Sequence, residues 1–384
     1  MKPAFPLPDD AAISHSLALI DTLRQRIKAQ GPMRFSDYMH RVLYTPGLGY
    51  YSAGSAKIGA AGDFITAPEI SSTFARCLAR QCQQVLQALS QPIIMELGAG
   101  LGSLAADLLL TLEQCDSLPL EYWILEPSAE LAQRQFQLLQ ARCPHLINRV
   151  KWLDSLPKQD FNGIILGNEV IDALAIARFM IKNTQIVELG VDFNGERFEW
   201  AELSASNPAL ITKVTAIQKA TGDFPEGYCS EINLYLNEWL KSVTEHLHQG
   251  VAIWIDYGYP RDSYYHASRS AGTLMNYYRH HAHSDPFLYP GLQDITAHVD
   301  FTALAEAGLD SGLELSGYIS QGMFLINCGV GELLQAVDDI TEQTRIKKLI
   351  SPQHMGESFK VMALSRNMDL TLMGFSAMQE RHKL

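Results

Sequence analysis

Cysteine is scarce and scattered. The chain of 384 residues has six, Cys77, Cys82, Cys115, Cys143, Cys229 and Cys328, with no C-x-x-C pair among them. That excludes a zinc ribbon and a short-spaced disulfide framework, and it points to reduced thiols in a cytoplasmic protein. Long apolar runs are missing from the N-terminus: one lysine, three prolines and Asp9-Asp10 precede a first apolar stretch that Ser14, His15 and Ser16 interrupt. Neither a signal peptide nor a membrane span is expected there. Basic residues are outnumbered, 30 against 42 acidic ones for a net charge of -12, and no Lys/Arg run could neutralise a line of phosphates. Nucleic acid is not the expected partner; an acidic surface suits a cationic one. No G-x-S-x-G turn, internal repeat or low-complexity tract occurs either.

What is present is an alternation of strands and helices in a chain that is 47% hydrophobic, enough for a sizeable core. Ile13, Leu17, Ile20, Leu23 and Ile27 follow helical spacing from Asp10 to Gln30, where Gly31-Pro32 ends the run. A Gly- and Tyr-rich loop, YTPGLGYYSAGSAKIGAAGDFITAPEIS, leads to a second helix near Ser72 to Leu89. Then come the strand IIMEL, a helix after Gly102, the strand YWILEP, a helix from Ala129 to Arg142, and short strands at Val150 to Leu153 and GIILGN. VAIWIDYG and a late pair near Leu313 to Tyr318 and Met323 to Asn327 complete a mostly parallel α/β sheet. ARFMIKNTQIVELGVDFNGERFEWAEL alternates with period two around Asn183 and an Asn194-Gly195 turn, which predicts an antiparallel insertion. One more helix, Glu332 to Thr344, and a short closing segment are expected at the end.

The stretch IIMELGAGLG carries the most chemistry. In an open parallel sheet, ligands sit beyond the carboxyl ends of the strands, where a glycine turn lets backbone amides approach them. Counting G-x-G-x-x-G from Gly98 gives Gly100 and then Ser103; the third glycine falls one position early, at Gly102. Glu96 would repel a pyrophosphate, whereas it would attract a cation by about 4 kcal/mol at 4 Å in an effective dielectric near 20. S-adenosylmethionine, with its ammonium and sulfonium, suits this turn better than a dinucleotide. Glu126 ends the next strand, where a carboxylate can accept hydrogen bonds from ribose hydroxyls. Asp154 follows the third strand, where an adenine amino group would lie. Asn168, Glu169 and Asp172 cluster after the fourth, facing a methyl acceptor or, alternatively, capping a helix. Asp256 is a secondary acidic candidate, with capping as its ordinary role. His280, His281, His283, His298 and Asp300 lack metal-site spacing, so no metal is expected.

Taken together, FSDYMHRVLYTPGLGYYS, GDFITAPEIS, GNEVIDALA, WIDYG and GTLMNYYRHHAHSDPFLYPGLQDITAHVDFTAL resemble the MidA family, from about Phe35 to Gln321. The resemblance implies a class I, Rossmann-like methyltransferase fold with S-adenosylmethionine as cofactor. In its terms Glu96, Gly98, Gly100 and Gly102 cradle the methionine side, Glu126 takes the ribose, and the loop with Gly62 and Asp63 lies beside the cofactor. Asn168 and Glu169 face the acceptor. For mitochondrial relatives the implied substrate is a protein arginine on a respiratory-chain subunit. Ala175 and Met275 depart from the family's usual proline and basic residue. The expected organisation is an N-terminal helical and loop extension over residues 1–90 covering the cofactor site and a methyltransferase core over 91–330. Within that core lie a β insertion at about 177–203 and a substrate-side loop at about 257–300, and a closing segment spans 331–384. A non-catalytic assembly factor that keeps this fold as a docking scaffold is the alternative, and an NAD enzyme the second.

Overall fold

In the computed structural model, which describes residues 5–52 and 65–384, the chain forms two compact units from interleaved segments. One comprises residues 65–171, 236–260 and 299–384; the other takes residues 172–235, 261–298 and the described part of 1–64. The expected blocks 1–90, 91–330 and 331–384 follow chain order, and these units do not.

The first unit is built on a sheet whose main strands are β1 (Ile93–Leu97), β2 (Glu121–Leu125), β3 (Val150–Leu153), β4 (Phe161–Asn168), β5 (Leu247–Tyr259), β6 (Glu314–Ser320) and β7 (Phe359–Arg366). Their order is 3-2-1-4-5-7-6. Strands β1 to β5 pair in parallel, and β7 runs antiparallel to both its neighbours. Every residue of β1 is buried, as befits a parallel strand covered on both faces. Helices α1 (Ser72–Gln87), α2 (Ser103–Gln114) and α3 (Ala129–Arg142) supply part of that cover. Ser71 and Ser128 cap α1 and α3 by accepting the amides of Thr73 and Leu131. Leu78, Cys82 and Val85 of α1 and Leu104, Leu108 and Leu112 of α2 join one core with Ile94 and Ile164 of the sheet.

One glycine here is fixed by packing. Gly167 of β4 pairs with Trp254 of β5, and a Cβ at Gly167 would lie 2.5 Å from the fully buried indole. Gly167→Ala is expected to lower stability by about 1–3 kcal/mol, the usual cost of overpacking. The check is a lower urea midpoint at unchanged slope.

Two late elements differ from expectation. Gln321–Asn327, read in part as a strand, is a helix with Phe324 and Leu325 buried; a short apolar run does not reveal its own period. The missing strand is β7, placed between β5 and β6. The helix expected over Glu332–Thr344 is two, Val330–Gln335 and Ile340–Ile350.

In the second unit, a five-stranded antiparallel sheet holds Ala177–Lys182, Gln185–Phe193 and Phe198–Glu202, joined by Met33–Arg34 and Cys229–Ile232. A three-stranded sheet holds Met275–Tyr278, His281–His283 and Asp294–Thr296. Helix Asp10–Gln30 occupies the expected residues but turns a different face inward. Ser16, Leu19, Leu23 and Ile27 are buried, while Ile13 and Leu17 are exposed. Ser16 is tolerated inside because its hydroxyl donates to Pro290 O at 2.9 Å. Phe5 packs its ring against Tyr278, His281 and His283.

Candidate functional site

Beyond β1 the chain turns through Gly98, Gly100 and Gly102 into α2. Their φ angles are +59°, +54° and +89°, a left-handed region that glycine enters without a Cβ clash. Gly98 N–H donates to Leu125 O at 3.1 Å, which fastens the turn to the end of β2, and Gly102 N–H donates to Ala99 O at 2.8 Å. Gly102 caps α2 without any side-chain acceptor. The first-turn amides of such a helix have no partner within it, and together with the helix dipole they favour an acceptor or anion beyond the strand ends.

Two carboxylates stand at adjacent strand ends. Glu96 is 3% exposed, and its Oε2 accepts the Tyr122 hydroxyl at 2.6 Å. Burial pushes its pKa up to about 7, against the lowering effect of the Tyr122 bond and with a smaller upward push from Glu126. Glu126 lies one residue past the Leu97–Leu125 pair and is also buried. Its Oε1 accepts Ser128 N–H at 2.9 Å, and its Oε2 accepts Gln135 Nε2 at 3.0 Å. Burial raises the Glu126 pKa, while the bonds from Ser128 and Gln135 lower it.

On the other side of β1, β4 ends at Asn168. The Asn168 amide donates to Glu169 Oε1 at 3.2 Å, while its own Oδ1 is buried with no hydrogen-bond partner among the described residues. Glu169 has φ +54°, and its amide donates to Ile255 O of β5 at 2.9 Å. Asp256 is buried; its two oxygens accept the amides of Ile171 and Tyr257 at 3.0 and 2.9 Å, so it ties down the segment after Glu169. Between Ile171 and Asp172 the chain passes into the second unit. There Asp172 is 5% exposed, and its carbonyl accepts Ala297 N–H at 3.1 Å.

The sheet thus gathers Glu96, Gly98, Gly100, Gly102, Glu126, Asn168 and Glu169 at the ends of three neighbouring strands. Asp154 is exposed just past β3, bonded by the Ser155 hydroxyl at 3.1 Å. Gly62 and Asp63 lie outside the described residues. Sequence reasoning missed Tyr122, Gln135 and Trp152. Gln135 is fully buried and bonds Gly100 O and Trp152 as well as Glu126. Its signal was phase: it stands four residues from both Leu131 and Leu139 on α3.

These groups fit S-adenosylmethionine. Two buried acids suit a ligand with two cationic centres and a ribose diol, glycines keep the turn free of side chains, and the buried Asn168 Oδ1 awaits a donor. The comparisons agree with this chemistry. Residues 77–319 match the model of a family described as "Putative S-adenosyl-L-methionine-dependent methyltransferase". A crystal structure from Burkholderia thailandensis, bound to S-adenosyl-homocysteine, is 41% identical with a TM-score of 0.94, over 99% of this chain and 100% of that one. Protein arginine methyltransferase NDUFAF7, mitochondrial, of Danio rerio is 28% identical, over 90% of this chain and 86% of that one. Its Homo sapiens counterpart is 26% identical, over 89% and 82%. The fold, the acids flanking its glycine turn and these matches together make the chain a member of the MidA family of S-adenosylmethionine-dependent methyltransferases.

Proposed function

We propose that the enzyme methylates an arginine of a protein substrate, with Glu169 holding the acceptor guanidinium. The observation that carries this reading is the conformation of Glu169. A non-glycine residue at φ +54° costs roughly 1 kcal/mol or more. Here its amide is bonded to β5 and its carboxylate to Asn168, so the side chain is held in place beside the cofactor turn.

S-adenosylmethionine supplies the methyl group on a sulfonium, which leaves as a neutral thioether. In the proposed roles, Glu96 faces the cationic methionine end, Gly98, Gly100 and Gly102 admit it to the turn, and Glu126 accepts from the ribose hydroxyls. Asp154 serves the adenine amino group. Glu169 accepts two guanidinium N–H bonds, which orients one nitrogen for in-line attack. As the N–C bond forms, that nitrogen loses a proton, and Glu169 receives it. Asn168 fixes the Glu169 carboxylate.

Support for a protein arginine comes from the curated relatives, named protein arginine methyltransferases; a respiratory-complex subunit is the partner proposed. The cytoplasm is the proposed compartment, since all six thiols are free, although those relatives are named mitochondrial. No helix among the described residues is long and apolar enough to cross a membrane. The test is incubation of the protein and methyl-tritiated cofactor with a lysate from its own source, followed by acid hydrolysis of the labelled band. Label in methylarginine is the expected result; label confined to another residue or to small molecules overturns the arginine assignment.

A further inference from the structure

Gln135 is the most thoroughly bonded polar side chain near the glycine turn, although its residue is fully buried on a helix that contributes nothing else polar to the core. Its Oε1 accepts the Trp152 indole N–H at 3.0 Å, and its Nε2 donates to Gly100 O and to Glu126 Oε2, both at 3.0 Å. An indole nitrogen can only donate, so Trp152 determines which way the amide faces. The NH2 end is thereby aimed at the turn and at the acid, and Glu126 Oε2 must act as acceptor. With Ser128 N–H on Oε1, both carboxylate oxygens are fixed in position, each with a lone pair left over. The contact also runs in reverse: a Cβ at Gly102 would lie 3.3 Å from Gln135 Cα, so turn and helix are fitted to one another.

We propose that Gln135 is a positioning residue of the cofactor site: oriented by Trp152, it sets the Glu126 carboxylate for the ribose hydroxyls and pins the peptide of Gly100. The inference rests on Glu126 as the ribose acceptor. Supporting groups of this kind stabilise a ligand they never touch, because the acid no longer has to be ordered on binding.

The test compares calorimetric binding of S-adenosylhomocysteine with that of its 2′,3′-dideoxyribose counterpart. Gln135→Met keeps the length of the side chain and removes its bonds. It is expected to cut the preference for the hydroxylated ligand about tenfold, with little effect on the dideoxy one. Trp152→Phe, which frees the amide to flip, is expected to move the preference the same way by a smaller factor. It also serves where the first variant does not fold. Glu126→Gln separates the two levels. If it leaves the preference intact, the ribose reading falls and the inference with it. If it abolishes the preference while folded Gln135→Met and Trp152→Phe retain the wild-type ratio, only the positioning role of Gln135 is overturned.

Discussion

Replacing Glu169 by glutamine is expected to slow methyl transfer by about a hundredfold or more while leaving the affinity for S-adenosylmethionine unchanged. Glutamine preserves the shape of the side chain, and its carbonyl oxygen can still accept the Asn168 amide bond that the carboxylate accepts at 3.2 Å. What disappears is the negative charge opposite a guanidinium and the place to which the departing proton goes. A charged partner roughly doubles the strength of each hydrogen bond to the acceptor, and the fork of two such bonds aligns the attacking nitrogen. Loss of alignment appears mainly in kcat, because orientation is realised at the moment of attack. The measurement is tritium transfer to the substrate identified from the lysate, beside calorimetry with cofactor alone. Turnover within a factor of two of wild type would remove Glu169 from the acceptor site. A parallel loss of cofactor affinity would place it on the cofactor instead.

The parts of this site that could be read from the chain are those where a charge interrupts an apolar run. Glu96 in IIMEL and Glu126 after YWIL stand out because a parallel strand buried on both faces tolerates nothing polar without a reason. Their placement on adjacent strands followed from the strand-turn-helix alternation, and β1 to β4 appear within a residue or two of the expected bounds. Gln135 was hidden for the opposite reason. Helix α3, AELAQRQFQLLQAR, carries four glutamines, and only its phase against the sheet decides which of them is buried.

Strand β7 was hidden by Lys360. A lysine near the start of FKVMALSR reads as surface, yet it is 5% exposed, with Glu357 at 2.6 Å and Glu380 at 3.4 Å compensating its charge. Glu357 stands three residues before the lysine, but Glu380 comes from a segment twenty residues further on that no local window joins to the strand. The assembly of each unit from separate segments of the chain is likewise a long-range property. The glycine turn was legible because its left-handed backbone writes itself into the local sequence as Gly98, Gly100 and Gly102, although Leu125 and Gln135 also fasten it from a distance.

Glu96 makes cofactor binding depend on pH in a direction that can be stated beforehand. Its carboxyl, ordinarily at 4.5, is raised to about 7 by burial, so without ligand the fold prefers the neutral acid. The stability that this preference contributes is complete below pH 4.5 and is lost as pH rises through 7, a difference of roughly 3 kcal/mol. A cation placed against Glu96 reverses the preference, because it favours the ionised form and pulls the pKa down. Affinity for S-adenosylmethionine is therefore expected to rise as pH increases from 6 to 8, approaching tenfold per unit below 7. Glu96→Gln removes this carboxylate from both profiles, and the difference between wild type and variant isolates it from the titration of the cofactor's own amino group. At pH 8 the variant is expected to bind about tenfold or more weakly and yet, without ligand, to unfold at a higher temperature than wild type. The two effects have opposite signs, so a general loss of folding cannot mimic them. If calorimetry from pH 6 to 8 gave parallel profiles for the two proteins, Glu96 would not be the group that meets the cofactor's positive charge.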